Sequence, residues 1–205
     1  MSARLNNPNI EILEIAVRQL GDLADELVFL GGCATGLLIT DPGASPIRAT
    51  QDVDAITEVG SWVDYHRLSE KLRERGFSED TSKDAPICRW KGSGILLDVM
   101  PTKSHVLGFA NEWYPPAFEK AESLTLPSGK QIRMVTSPYF LATKIAAFDS
   151  RGENDYLMSH DMEDIVAVLD GRADVVEEIR TADKAVREYL MRRLTNLQRD
   201  NNFTD

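Results

Sequence analysis

The stretch that decides the fold runs from residue 27 to residue 59: LVFLGG at 27–32, CATGLLIT at 33–40, the loop DPGASPIRATQ at 41–51, and DVDAITEV at 52–59. The first segment is a short, unbroken apolar run stopped by Gly31 and Gly32, which reads as a buried strand. CATGLLIT fits a short helix behind that strand. Two prolines and a glycine make 41–51 a loop. DVDAITEV alternates acidic and apolar residues, the period of a strand. Asp52 and Asp54 therefore share one face, with Val53 on the other.

A second acidic strand lies downstream. In GILLDVM, 94–100, Asp98 faces away from the layer that takes Leu97 and Val99. Carboxylates on one strand face, in segments otherwise made for burial, are costly unless something neutralises them. A divalent cation with oxygen ligands is the natural solution. If the Asp98 strand lies beside the Asp52/Asp54 strand, three carboxylates converge on a site for one or two magnesium ions, a kind of site that also binds phosphates. The glycine pair between strand and helix lets a backbone approach a phosphate closely. Arg48, just before the acidic strand, is placed to meet a phosphate or to pair with one of the aspartates.

Outward from this core, IEILEIAVRQL at 10–20 has helical spacing and Gly21 as its stop. Ser61 caps a helix through WVDYHRLSEKLRERG that ends at Gly76. FSED and ICRWK read as short strands. Residues 101–122 give no clear pattern, and SLTL-PSGK-QIRMV, 123–135, is a hairpin. Ser137 as N-cap with Pro138 at the first helical position starts a helix through YFLATKIAAF. A polar loop, DSRGENDYLM, separates it from HDMEDIVAVLDG, and 173–198 is helical and heavily charged. The order predicts an α+β fold with an α/β-type core: a mixed sheet flanked by helices over 1–136, then a helical region over 137–205 that packs on it.

These residues resemble a known family. Strand-Gly-Gly-helix, an Arg-x-Thr-x-Asp-x-Asp strand and a later strand with a third Asp are similar to the nucleotidyltransferase superfamily with the DNA-polymerase-β-like fold. Within it they most resemble the toxin-type and minimal members, including the AbiEii family. The resemblance covers about 26–100 by motif and extends more loosely to about 170. It implies a magnesium-dependent transfer of a nucleoside monophosphate from a nucleoside triphosphate to a hydroxyl acceptor, which could be an RNA end, a protein or a small molecule, with manganese as a substitute ion. Asp52, Asp54 and Asp98 would be the catalytic metal ligands. Gly31, Gly32, Arg48, Thr50 and Lys144 would bind the nucleotide. A role as the toxin of a toxin–antitoxin pair, with an antitoxin protein as partner, follows from the same resemblance. His160-Asp161-Met162-Glu163-Asp164-Ile165 resembles a Lys-Asp-x-x-Asp element of the toxin-type members, with His160 in place of the lysine. The loop 41–51 is longer than in compact members. The alternative is a catalytically inactive nucleotide-binding or protein-interaction module on the same fold.

Plainer readings stand beside these. A lone Gly-Gly or Asp-x-Asp carries little weight; their order and element types carry more. Asp161 and Asp164, three apart at a helix start, are accounted for by the helix dipole. Lys144 fits an exposed helix face as well as a phosphate contact, and Arg48 a structural ion pair. Trp62, Trp90 and Trp113 fit core or edge positions, Cys33 a small packed residue, and Arg192, Arg193 and Arg199 a solvated face. Composition narrows the rest. The 205 residues carry 23 Lys and Arg against 33 Asp and Glu, a net charge of −10, with 42% hydrophobic residues. That balance belongs to a folded globular chain and disfavours a broad nucleic-acid surface. No run approaches the roughly 18 apolar residues of a membrane span. MSARLNNPN has no signal-peptide pattern, and two cysteines outside any metal-ligand spacing fit a reduced, cytoplasmic protein.

Overall fold

The computed structural model describes residues 7–151, 155–200 and 203. Part of the opening MSARLNNPN and of the polar loop after residue 148 lies outside the described residues. A seven-stranded mixed sheet forms the centre, in the order β3-β4-β5-β2-β1-β7-β6. The strands are β1 (Leu27–Leu30), β2 (Asp52–Thr57), β3 (Ser78–Glu79), β4 (Arg89–Gly92), β5 (Ile95–Pro101), β6 (Glu122–Thr125) and β7 (Gln131–Met134). The central β2 runs antiparallel to β1 and parallel to β5. The expected hairpin forms as β6–β7, and β7 joins the sheet parallel to β1.

Period-two alternation sorts the strands between two cores. Leu27 and Phe29 of β1, Val53 and Ala55 of β2, and Leu97 and Val99 of β5 face one layer. There they meet Leu13, Val17 and Leu20 of α1 (Ile10–Leu20) and Tyr65, Leu68 and Leu72 of α3 (Trp62–Glu74). Val28, Leu30 and Ile56 face the opposite layer, and Met134 packs there. This second core is completed by α6 (Ser137–Arg151), α7 (His160–Gly171), α8 (Val175–Thr181) and α9 (Lys184–Gln198). The unbroken apolar run of β1 is thereby explained: both of its faces are covered. Asp52 and Asp54 fall on the Ile56 face, under the C-terminal helices.

Local signals fix the element ends. Gly21 closes α1 with φ 59°, and the Ser61 hydroxyl accepts the Asp64 N–H at the start of α3. The unread stretch 101–122 holds two short helices, α4 (Ser104–Leu107) and α5 (Tyr114–Glu119); Pro115 and Pro116 occupy the first turn of the second. Ser137 departs from its expected role. The Thr136 carbonyl accepts the first helical bond from Phe140, so Ser137 already lies inside α6, and its hydroxyl donates to Glu178.

Loop 41–51 is tied to α2 (Gly32–Leu38) by Asn9. Its amide donates to the carbonyls of Gly32 (3.2 Å) and Arg48 (3.1 Å), and its Oδ1 accepts the Thr50 N–H at 2.8 Å. One buried side chain thus holds the loop that delivers Arg48 and Thr50 to the N-terminal end of β2. Among the described residues no helix is long and apolar enough to cross a membrane.

Candidate active site

The parallel register of β2 and β5 sets Asp54 directly beside Asp98, and Asp52 lies two residues earlier on the same face. The antiparallel register of β4 and β5 sets Arg89 beside Asp98 on the far side. The Arg89 guanidinium makes a two-point bond to Asp98, Nε to Oδ1 at 2.8 Å and Nη2 to Oδ2 at 2.7 Å. The same Nη2 reaches across β5 to Asp52 Oδ2 at 2.9 Å. Thr50 Oγ1 donates to the other Asp52 oxygen at 2.8 Å.

Asp54 is the exception. Among the described residues no side-chain hydrogen bond or ion pair reaches its carboxylate. Its pKa is pushed up to about 7, chiefly by burial and then by the charge of Asp52, with Asp98 adding to it and Lys144 opposing it. The Gly31 backbone lies against it: a Cβ at Gly31, where φ is 70°, would stand 1.9 Å from Asp54 Oδ2. A Cβ at Gly32 would meet Arg48 Nη2 at 2.7 Å and Thr50 Oγ1 at 3.3 Å. Both glycines therefore make room for the neighbouring site residues, a closer constraint than the strand-to-helix turn alone imposes.

A second tier comes from α6 and α7. Lys144 and Arg151 are two turns apart on α6 and face the start of α7. Lys144 Nζ, in a residue only 7% exposed, pairs with Asp161 (3.0 Å) and Asp164 (2.7 Å). Arg151 donates to both oxygens of Asp161, at 3.0 and 3.1 Å. Arg48 Nη2 donates to Asp164 Oδ2 at 2.9 Å, so of its two expected partners the structure shows an aspartate, but one on α7 and not on β2. Burial would lower the Lys144 pKa, but Asp164 and Asp161 outweigh it and raise it. Burial likewise opposes ionisation of Asp161, and the Arg151 hydrogen bonds with the Lys144 charge hold its pKa low. Asp161 and Asp164 do stand at the helix start, but they are 5% and 1% exposed and serve as anchors for cations, which the dipole reading did not foresee.

Both tiers border one cleft of about 600 Å³. Asp52, Asp54 and Asp98 line it together with Arg48, Lys144 and Arg151. Trp90 is buried in the opposite core and Trp62 is exposed on α3, so neither lies at the cleft. Cys33 is a packed residue, as expected, with its thiol pushed up by burial. Arg89 and Arg151 were not legible as site residues. Their signals were faint: Arg89 alternates with the inward Trp90, and Arg151 lies seven residues after Lys144.

No family model matches the sequence, and no curated protein matches it. Solved structures do match the fold. The crystal structure of an antigenic nucleotidyltransferase-like protein from Paracoccidioides brasiliensis aligns over 94% of this chain and 88% of that one, with a TM-score of 0.55 and 19% identity. The fold is that of the nucleotidyltransferases. The solution structure of the antibiotic-resistance factor ANT(2'')-Ia aligns over 95% of this chain and 97% of that one, with a TM-score of 0.53 and 13% identity. Within the nucleotidyltransferase fold of this chain, the cleft lies on the sheet face covered by the C-terminal helices.

Two predictions follow from the charges. Lys144→Met leaves buried Asp161 and Asp164 short of a partner, and chemical denaturation is expected to show a loss of about 3–5 kcal/mol. For Asp54 the sign is the reverse of a stabilising carboxylate. Its folded pKa, about 7, lies above the ordinary 3.8, so the folded state holds the proton more tightly. Stability contributed by Asp54 falls as pH rises from about 4 to about 7 and then levels. Asp54→Asn removes that loss. Because Asp54 is partly exposed, the gain over wild type at pH 8, relative to pH 4, is expected to be on the order of 1–3 kcal/mol in urea titrations at both pH values.

Proposed function

We propose that this chain is a divalent-metal-dependent nucleotidyltransferase that moves a nucleoside monophosphate from a nucleoside triphosphate to a hydroxyl acceptor. One observation carries the reading: Asp52, Asp54 and Asp98 share one face of neighbouring strands and open on a cleft that also presents Lys144 and Arg151. The nucleotidyltransferase fold of the solved neighbours supports it.

The donor set fits magnesium or manganese, since hard divalent ions take carboxylate oxygens. Asp54 fits best, as the carboxylate with no counter-charge bound to it and a raised pKa. Among the described residues no three His, Cys, Asp or Glu side chains are arranged to hold a metal ion as they stand, and Arg89 occupies oxygens of both Asp52 and Asp98. Asp52 and Asp54 would hold the ion, with Asp98 as a further ligand. When bound, a divalent cation stabilises the charge that develops on phosphoryl oxygens.

The chain's own groups account for the rest. Lys144 and Arg151, fixed by Asp161 and Asp164, direct positive charge toward the triphosphate. Gly31 keeps the backbone close to Asp54, and Gly32 keeps it close to Arg48 and Thr50, which border the same end of β2. The acceptor oxygen attacks the α-phosphorus, the bond from that phosphorus to the bridging oxygen breaks, and pyrophosphate leaves. Asp98 accepts the acceptor proton once Arg89 releases it. The −10 charge of the chain disfavours a long polyanionic acceptor held by charge. One fold neighbour is an antibiotic-resistance factor, which supports a small-molecule arm in the assay. The resemblance to toxin-type members supports an antitoxin protein as partner.

Arg89 also favours a second reading, a non-catalytic nucleotide-binding module in which the guanidinium permanently replaces the cation. The deciding experiment incubates the protein with each α-labelled nucleoside triphosphate and Mg²⁺ or Mn²⁺. Cell RNA, cell protein and a small-molecule extract are offered as acceptors, beside Asp54→Asn. Transfer to one acceptor class, reduced at least about 100-fold in the variant, is the expected result. Nucleotide binding without transfer to any class supports the second reading, and absence of both nucleotide and metal binding contradicts the first.

A further inference from the structure

Arg89 occupies a position the metal reading assigns to a cation. Its guanidinium is planar and forked, and it spends that geometry on two strands at once. Two N–H groups satisfy both oxygens of Asp98 on β5, and Nη2 also meets Asp52 on β2. Thr50 takes the remaining Asp52 oxygen. All four oxygens of these two carboxylates are therefore engaged by the protein, and of the three strand aspartates Asp54 alone has no side-chain partner among the described residues.

We propose that Arg89 is a resident counter-cation that competes with divalent metal for Asp52 and Asp98 and withdraws when a metal–triphosphate enters. The inference rests on the nucleotidyltransferase reading and concerns how that site is kept in its resting state. Three carboxylates this close, under a covering layer of helices, repel one another and need positive charge whether or not substrate is present. Arg89 supplies it from a rigid strand next to β5. Its charge is single and spread over three nitrogens, so it is the weaker occupant once a compact double charge arrives. Its side chain is 22% exposed, at the cleft wall, so it has somewhere to turn. The phosphates of an incoming triphosphate offer it a second anion of the same forked geometry. Metal alone must displace Arg89 without that compensation, whereas metal with triphosphate brings the compensation along. The site thus takes up its ion chiefly with its nucleotide.

Mn²⁺ binding to the nucleotide-free protein, read by the electron paramagnetic resonance signal of free Mn²⁺, tests this without any turnover. Arg89→Met keeps the length of the side chain and removes its charge. Arg67→Met removes the same charge from an exposed position on α3 and controls for the net charge of the chain. Arg89→Met is expected to bind Mn²⁺ at least about tenfold more tightly than wild type, with Arg67→Met within about twofold of wild type. Thermal denaturation reports whether Arg89→Met is folded. If it is not, Arg89→Lys, which keeps the charge but not the fork, carries the test with a rise of about threefold. Equal Mn²⁺ affinity in wild type and the folded Arg89 variant overturns the inference and leaves the metal site standing. An equal rise in Arg67→Met overturns it as well, by making the effect one of net charge. No Mn²⁺ binding by any nucleotide-free variant overturns the inference, and the same titration repeated with a non-hydrolysable nucleoside triphosphate then decides the metal reading separately.

Discussion

Like charges crowded on one sheet face are the constraint around which this molecule is arranged. The β2–β5 register puts Asp54 against Asp98, with Asp52 on the same face. Such a cluster survives under a helical layer only if cations are built in around it. Arg89 is one, from within the sheet. Arg48, Lys144 and Arg151 are the others, from the loop and α6, but these three are bound to Asp161 and Asp164 on α7. The two α7 aspartates keep the helix cations from collapsing onto the strand carboxylates. Across the two tiers these five carboxylates face four cations, and Asp54 is the one without a side-chain partner among the described residues. Burial first, and then the neighbouring charge of Asp52, push its pKa up to about 7.

The same constraint orders the fold. β1 must be apolar on both sides because it lies between the acidic strand and the hairpin, covered above and below. Gly31 must lack a side chain because Asp54 fills the space beside it. Asn9 must hold its three backbone partners because the loop it ties down delivers Thr50 to Asp52 and Arg48 to Asp164. The C-terminal helices share a core with the sheet, and their charged residues face the carboxylates at its edge.

Much of this was legible in the sequence where a signal is local. The apolar run of β1, the alternation of β2, the cap at Ser61 and the stop at Gly21 each act through neighbours a few residues away. The hairpin at 123–135 was readable for the same reason, but not its parallel seat beside β1, which depends on strands a hundred residues apart. Arg89 was illegible because its meaning lies in the β4–β5 register. Asp161 and Asp164 were readable as helix-start acids and not as buried anchors, since a spacing of three at an N-terminus looks the same whether solvent or Lys144 lies opposite. The two short helices in 101–122 gave no pattern because four and six residues are too few to show a helical period, and in the second Pro115 and Pro116 occupy the first turn.

The acidity of the chain acquires a local meaning from this arrangement. Most of the −10 net charge is spread over the surface, while the cleft balances its carboxylates almost one for one. The central claim is that the balance is completed by a divalent cation at Asp54 and Asp52. A crystal structure with Mn²⁺ and a non-hydrolysable nucleoside triphosphate, with anomalous scattering to locate the metal, addresses it most directly. The account predicts a manganese peak bridging Asp54, Asp52 and the phosphates, with Arg89 turned away from Asp52. Arg89 still joining Asp52 to Asp98, with nucleotide bound and no manganese at Asp54, would contradict it.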